Sequence, residues 1–202
     1  MVPFAESRDR DTRRRAKEAV AAFYAEHDGD FGRIYHELVA LRARIAGKLG
    51  FDSFIPLAYA RLGRSDYDAA MVASYRAQVR EAVVPVAREL RARQAKRLGL
   101  PALKHYDEDI AFLSGNAAPK GDPAWILAAG KRMYEEMSPE TAEFFGFMTS
   151  RELMDLETRP GKAAGGYCSY IPNEGAPFIY SNFNGTSGDV DVLTHEAGHA
   201  FQ

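Results

Sequence analysis

The chain is short of several things, and each shortage excludes something. Its 202 residues hold a single cysteine, Cys168, so no disulfide can form within it, and a reducing compartment such as the cytoplasm is expected. The formal net charge is only −2, which gives no electrostatic reason to expect nucleic acid or an anionic membrane as a partner. No apolar run approaches the roughly 18 residues of a membrane span. The first eight residues lack the apolar core of a secretory signal. The arginines there and just beyond (Arg8, Arg10, Arg13, Arg14, Arg15) are interleaved with Glu6, Asp9, Asp11 and Glu18, which suits a solvated helix face rather than a transit peptide. Internal repeats and low-complexity stretches are also missing.

What is present reads first as helices. Apolar content of 46% is ordinary for a globular protein, and the length allows one large domain or two small ones. Residues 7–27 have high helix propensity, and Asp28-Gly29-Asp30 reads as a break. From Phe31 to Leu49, apolar residues recur at spacings of three and four, and Gly50 is placed to end that helix. Residues 67–98 read as a long helical segment that Pro85 should kink or split, with Gly99 and Pro101 beyond it. Asp122-Pro123 and Ser138-Pro139 each pair an N-cap with a proline at the first helical position. They predict helices to about Met137 and to Ser150 or Leu156.

The character changes after Leu156. Residues 167–171 and 177–183 have β-type composition around the turn signal Pro172-Asn173-Glu174-Gly175. The expected organisation is mainly α: a helical body over residues 1–156, then a small β-hairpin or sheet and a further helix over 157–202, all part of one catalytic domain.

That last helix carries His195-Glu196-Ala197-Gly198-His199, an HExxH pattern. Positions i and i+4 share one helix face, so His195 and His199 can grip one metal ion, with zinc the usual choice. Glu196 is then placed to act as general base on a metal-activated water. Chance produces such a pattern in a chain of this length on the order of one percent of the time. Thr186, Ser187 and Asp189 are candidate N-caps for this helix. A catalytic zinc usually takes a third protein ligand. Glu152, Asp155, Glu157, Glu174, Asp189 and Asp191 are the nearby upstream acids. Gly165 to Tyr170, with Gly166 and Tyr167 foremost, could form an edge strand that holds an extended peptide by its main chain. Cys168 suits a buried structural thiol, and His27, His36 and His105 lack ligand spacing.

Three stretches carry a family resemblance: residues 159–168 (Arg159-Pro160-Gly161-Lys162 through Gly165-Gly166-Tyr167-Cys168), 177–186 (Pro177-Phe178-Ile179 and Asn182-Phe183-Asn184-Gly185-Thr186), and 194–202. Together they resemble oligoendopeptidase F, of the thimet-oligopeptidase-like zinc metallopeptidases. Leu49-Gly50-Phe51 and Val83-Val84-Pro85 add weaker support. The resemblance implies a helical zincin-type body, one Zn2+ per site, and endopeptidase action on short peptides inside a deep channel. His195 and His199 match the zinc-binding histidines and Glu196 the general base. The third ligand, a glutamate, and the groups that stabilise the transition state would lie beyond Gln202, so an internal piece truncated at both ends is expected. The other readings are a carboxypeptidase or dipeptidase on a similar scaffold, and a non-catalytic peptide-binding helical protein.

Overall fold

Side-chain caps set where the helices begin. The structure, a computed structural model, describes residues 2–202. After a short α1 (Val2–Ala5), Asp9 accepts hydrogen bonds from the backbone N–H groups of Asp11 and Thr12 and opens α2 (Arg10–Glu26). His27 alone separates α2 from α3 (Asp28–Lys48). The break expected at Asp28-Gly29-Asp30 is thus one residue, placed earlier. Asp28 and Asp30 instead occupy the first turn of α3, where acidic side chains complement the helix dipole. Gly50, at φ +79°, ends α3 in the left-handed conformation that glycine adopts without steric cost. The apolar stretch that follows forms α4 (Phe54–Arg61).

Pro85 acts more gently than expected. The chain runs through α5 (Ala69–Gln78), a π-helical turn (Val79–Val83) and α6 (Val84–Arg97). Pro85 has no N–H for the carbonyl four residues back, and its ring crowds that carbonyl. The widened turn just before it relieves both problems.

Two compact units result. Asp9–Leu113 is wholly helical apart from its connections. A buried ion cluster ties it together around Asp107, in a 3-10 turn (His105–Asp107) whose aspartate is fully shielded from solvent. Asp107 accepts from Arg10 Nε (2.9 Å) and Nη2 (2.8 Å), from Arg13 Nη2 (3.0 Å) and from the Lys104 N–H (3.0 Å).

The other unit joins the stretch ending at Arg8 to Ser114–Gln202. Asp122 accepts from the Trp125 N–H (2.8 Å) to open α7 (Pro123–Met137), and Ser138 accepts from the Thr141 N–H (3.2 Å) to open α8 (Pro139–Ser150). The stretch 151–156 leaves the helix, and part of it forms β1 (Met154–Glu157). With β2 (Tyr167–Ile171) and β3 (Ala176–Phe183) it makes a sheet of order β1-β3-β2, in which β1 runs parallel and β2 antiparallel to β3. The β2–β3 hairpin agrees with the sequence, and the sheet has gained one strand. Ile179 and Phe183 on one face of β3 meet Phe145 and Met148 of α8 and Leu193 and Ala197 of α9 (Gly188–Phe201) in a single core. The architecture is mainly α, with a small sheet directly before the helix that carries residues 195–199. Among the described residues no helix is long and apolar enough to cross a membrane.

Candidate functional site

The core aims α9. Leu193 and Ala197, one turn apart, are buried against the sheet and α8, so His195 and His199 face outward and are exposed. Tyr134 of α7 stacks on Phe145 (ring centroids 4.7 Å apart) and donates its hydroxyl to the Thr194 carbonyl at 3.4 Å, one residue before His195. At the helix start Ser187 takes the N-cap position without a side-chain cap bond. Asp189 is buried and accepts from the N–H groups of Asn184 (2.9 Å) and Gly185 (2.8 Å), which fixes the loop leading out of β3.

The two imidazoles meet. Their Nε2 atoms lie 3.1 Å apart, with ring centroids at 4.6 Å and planes at 84°. Two nitrogens each about 2.0–2.1 Å from one tetrahedral zinc are about 3.3–3.4 Å apart. The histidine pair therefore fits a shared divalent ion with a shift of a few tenths of an ångström. Among the described residues no group of three His, Cys, Asp or Glu side chains is gathered to hold a metal. Asp155 and Asp189, two of the upstream acids, are held by other partners: Arg159 and Lys162 in the first case and loop N–H groups in the second.

Glu196 points into a cleft between α9 and β2 and is 9% exposed. The cleft has a volume of about 740 Å3 and is lined by Gly166, Tyr167, Cys168 and Tyr170 of the β2 segment, Pro177 of β3, and Glu196, His199, Ala200 and Gln202. Of the residues singled out in the sequence, Glu196, His199, Gly166 and Tyr167 share this cleft, while His195 stands at its side against His199. A cavity of similar size (about 750 Å3) in the other unit is lined by residues between Ile55 and Met71 and contains no histidine or cysteine. It offers no comparable chemistry.

Strand β2 has β3 on one side and no strand neighbour on the other among the described residues. Its outer backbone groups therefore form an open edge, on a strand whose residues line the cleft. Gly166, at its start, approaches α9 closely: a Cβ there would lie 3.2 Å from Val192 Cγ1 and 3.4 Å from the Tyr180 carbonyl oxygen. Tyr167 stacks on its cross-strand partner Tyr180, with centroids 5.0 Å apart and planes at 15°. Cys168 is half-buried against the core. Burial first, and the negative charge of Glu196 second, push its thiol above the usual range, so it stays protonated. That environment suits a structural thiol rather than a nucleophile.

Known structures carry the same arrangement of chain. Over 98% of its length this chain superposes on a structure named PZ peptidase A with inhibitor 2, at 60% identity and a TM-score of 0.95. A provisionally named oligoendopeptidase F from Bacillus anthracis str. Ames matches over 99% of the chain at 56% identity and a TM-score of 0.93. Another of that provisional name matches over 98% at 56% identity and 0.95. In sequence and fold the chain is similar to the oligoendopeptidase F group over nearly its whole length. It spans 35–37% of the length of these relatives. No family model matches it, and neither does any curated protein.

The sequence had assigned no role to Lys162, Tyr180 or Asn182, which hold the loop leading into β2. Tyr180 and Asn182 bond to carbonyls in the loop well before them and Lys162 to carbonyls of β1 a few residues back, and no motif spacing signals such contacts.

Proposed function

We propose that this chain carries the metal-binding and substrate-strand portion of a zinc endopeptidase that hydrolyses short peptides, working in a reducing compartment such as the cytoplasm. The observation that carries the proposal is the 3.1 Å approach of the two Nε2 atoms beside a buried glutamate in a cleft bounded by an open strand edge. His195 and His199 would hold the ion through Nε2. When bound, zinc acidifies a water and polarises the scissile carbonyl.

The chain's own residues do the rest. The Glu196 carboxylate takes a proton from the attacking water as its oxygen bonds to the carbonyl carbon. It returns that proton to the nitrogen as the C–N bond breaks. The outer edge of β2 from Gly166 onward offers N–H and carbonyl groups to an extended peptide, which would lie across the cleft as an added strand. The family likeness supports the reading, since the relatives at 56–60% identity are named as peptidases.

The test is hydrolysis of a quenched-fluorescent octapeptide by the protein with zinc, compared with Glu196→Gln. Turnover that collapses in the variant while zinc stays bound supports the reading, and near-normal turnover in Glu196→Gln overturns it.

A further inference from the structure

The loop from Arg159 to Gly166 crosses the face of the sheet opposite α9, and a cluster of side chains pins it there. Tyr180 and Asn182, on the face of β3 that does not enter the core, reach up to it. The Tyr180 hydroxyl donates to the Ala163 carbonyl at 2.7 Å, and Asn182 Nδ2 donates to the carbonyls of Ala163 (2.8 Å) and Gly165 (2.9 Å). Lys162 runs the other way. Its side chain is 2% exposed, an unusual degree of burial for lysine. Its ammonium donates to the Asp155 carbonyl (3.0 Å), the Glu157 carbonyl (2.8 Å) and Asp155 Oδ1 (2.9 Å), and lies 4.5 Å from the centre of the Tyr180 ring. Arg159 closes the cluster with two 2.7 Å bonds to the Asp155 carboxylate.

Every bond in this cluster ends on the loop or on the strands beneath it, and the loop's exit is the Gly165–Gly166 corner. Gly165 has φ +113°, which only glycine adopts readily. Gly166 is closely packed: a Cβ there would lie 3.2 Å from Val192 Cγ1 and 3.4 Å from the Tyr180 carbonyl oxygen. Fixing the Ala163 and Gly165 carbonyls therefore fixes where β2 starts and how its outer edge meets Glu196 and His199.

We propose that Lys162 and Asn182 are positioning residues for peptide binding: they hold the Gly165–Gly166 corner so that the edge of β2 is preformed before substrate arrives. This rests on the peptidase reading of the cleft. A preformed edge spares the peptide the ordering of a loop on binding. Loss of the cluster should therefore weaken peptide binding while leaving α9, whose packing is on the other face, in place.

The experiment measures binding of a fluorescein-labelled, end-capped octapeptide (seven alanines around one phenylalanine) in the uncleaving Glu196→Gln background. Lys162→Met, which keeps the buried aliphatic stem, and Asn182→Ala are each added to it. Fluorescence anisotropy reads affinity, and circular dichroism confirms that each variant is folded at the working temperature. Both variants are expected to bind the peptide about tenfold more weakly while folded. A merely structural role would lower the thermal midpoint without changing the affinity of the folded protein, and that result overturns the proposal. Should Lys162→Met fail to fold, Asn182→Ala alone decides, since at a half-exposed position it removes the two hydrogen bonds donated to the loop and one accepted from the Thr158 hydroxyl (3.4 Å). If the parent Glu196→Gln protein itself binds no peptide, the reading of the cleft fails, and this proposal falls with it.

Discussion

Glu196 is the residue on which the proposed chemistry turns. The Glu196→Gln side chain keeps its size and its place in the cleft but can no longer accept a proton. Turnover should drop by about 10²-fold or more, the range lost with a positioned acid–base group, while zinc affinity stays close to that of the parent. Steady-state kinetics beside a zinc titration checks both halves. Gly166 makes a second residue-scale prediction. A Cβ there would lie 3.2 Å from Val192 Cγ1 and 3.4 Å from the Tyr180 carbonyl oxygen, and the branches of a valine reach further, so β2 and α9 must give by a few tenths of an ångström. The Michaelis constant for peptides should rise several-fold with a smaller change in kcat; an unchanged Michaelis constant would remove Gly166 from the substrate edge. At this scale the sequence was most legible where a motif is local. His195, Glu196 and His199 stand out because helix geometry turns a spacing of four into a shared face. Lys162 and Asn182 stayed hidden because neither residue type nor spacing reveals a hydrogen bond to a carbonyl on another strand.

Elements were legible where a cap or a period announced them. Asp122-Pro123 and Ser138-Pro139 gave the starts of α7 and α8, and Gly50 gave the end of α3. Strand β1 was not legible: Met154-Asp155-Leu156-Glu157 is four residues long, and only its pairing with β3 defines it as a strand. Asp28-Gly29-Asp30 misled because its acids favour a helix start as much as a turn. The joint between α2 and the 3-10 turn at Asp107 supports a prediction at this scale. Arg10 first, then the Lys104 N–H and Arg13, hold the Asp107 carboxyl well below the usual carboxylate range despite the opposing effect of burial. Because the folded pKa is depressed, the stabilisation is fully present above the ordinary unfolded value of about 4 and is lost as pH falls below it. Asp107→Asn should cost about 3 kcal/mol at neutral pH, since it removes the negative charge that the buried Arg13 guanidinium pairs with. Urea unfolding at pH 7 and pH 3 should show the parent losing part of its advantage over the variant at the lower pH. An equal gap at both would contradict the assignment.

Across the whole molecule, one unit holds the cleft and the other is a helical assembly built around a buried ion cluster. The cleft unit depends on a single core, and Phe145 sits at its centre, 1% exposed, touching the residues that aim α9. Phe145→Ala should destabilise that unit by about 3–5 kcal/mol, read by urea unfolding. It should also loosen the histidine pair, because Leu193 and Tyr134 lose the surface they pack on. The mainly α class and the order of helices, sheet and final helix followed from patterning along the chain. The sheet order and the placement of β2 as the open edge beside Glu196 came only from long-range packing.

A zinc titration of the 202-residue chain followed by calorimetry, with His195→Ala and His199→Ala beside it, shows whether His195 and His199 hold zinc together. One saturable site is expected, and either substitution should weaken it by at least the roughly tenfold to hundredfold that losing even an outer-shell partner costs. Zinc uptake indifferent to both substitutions would contradict this.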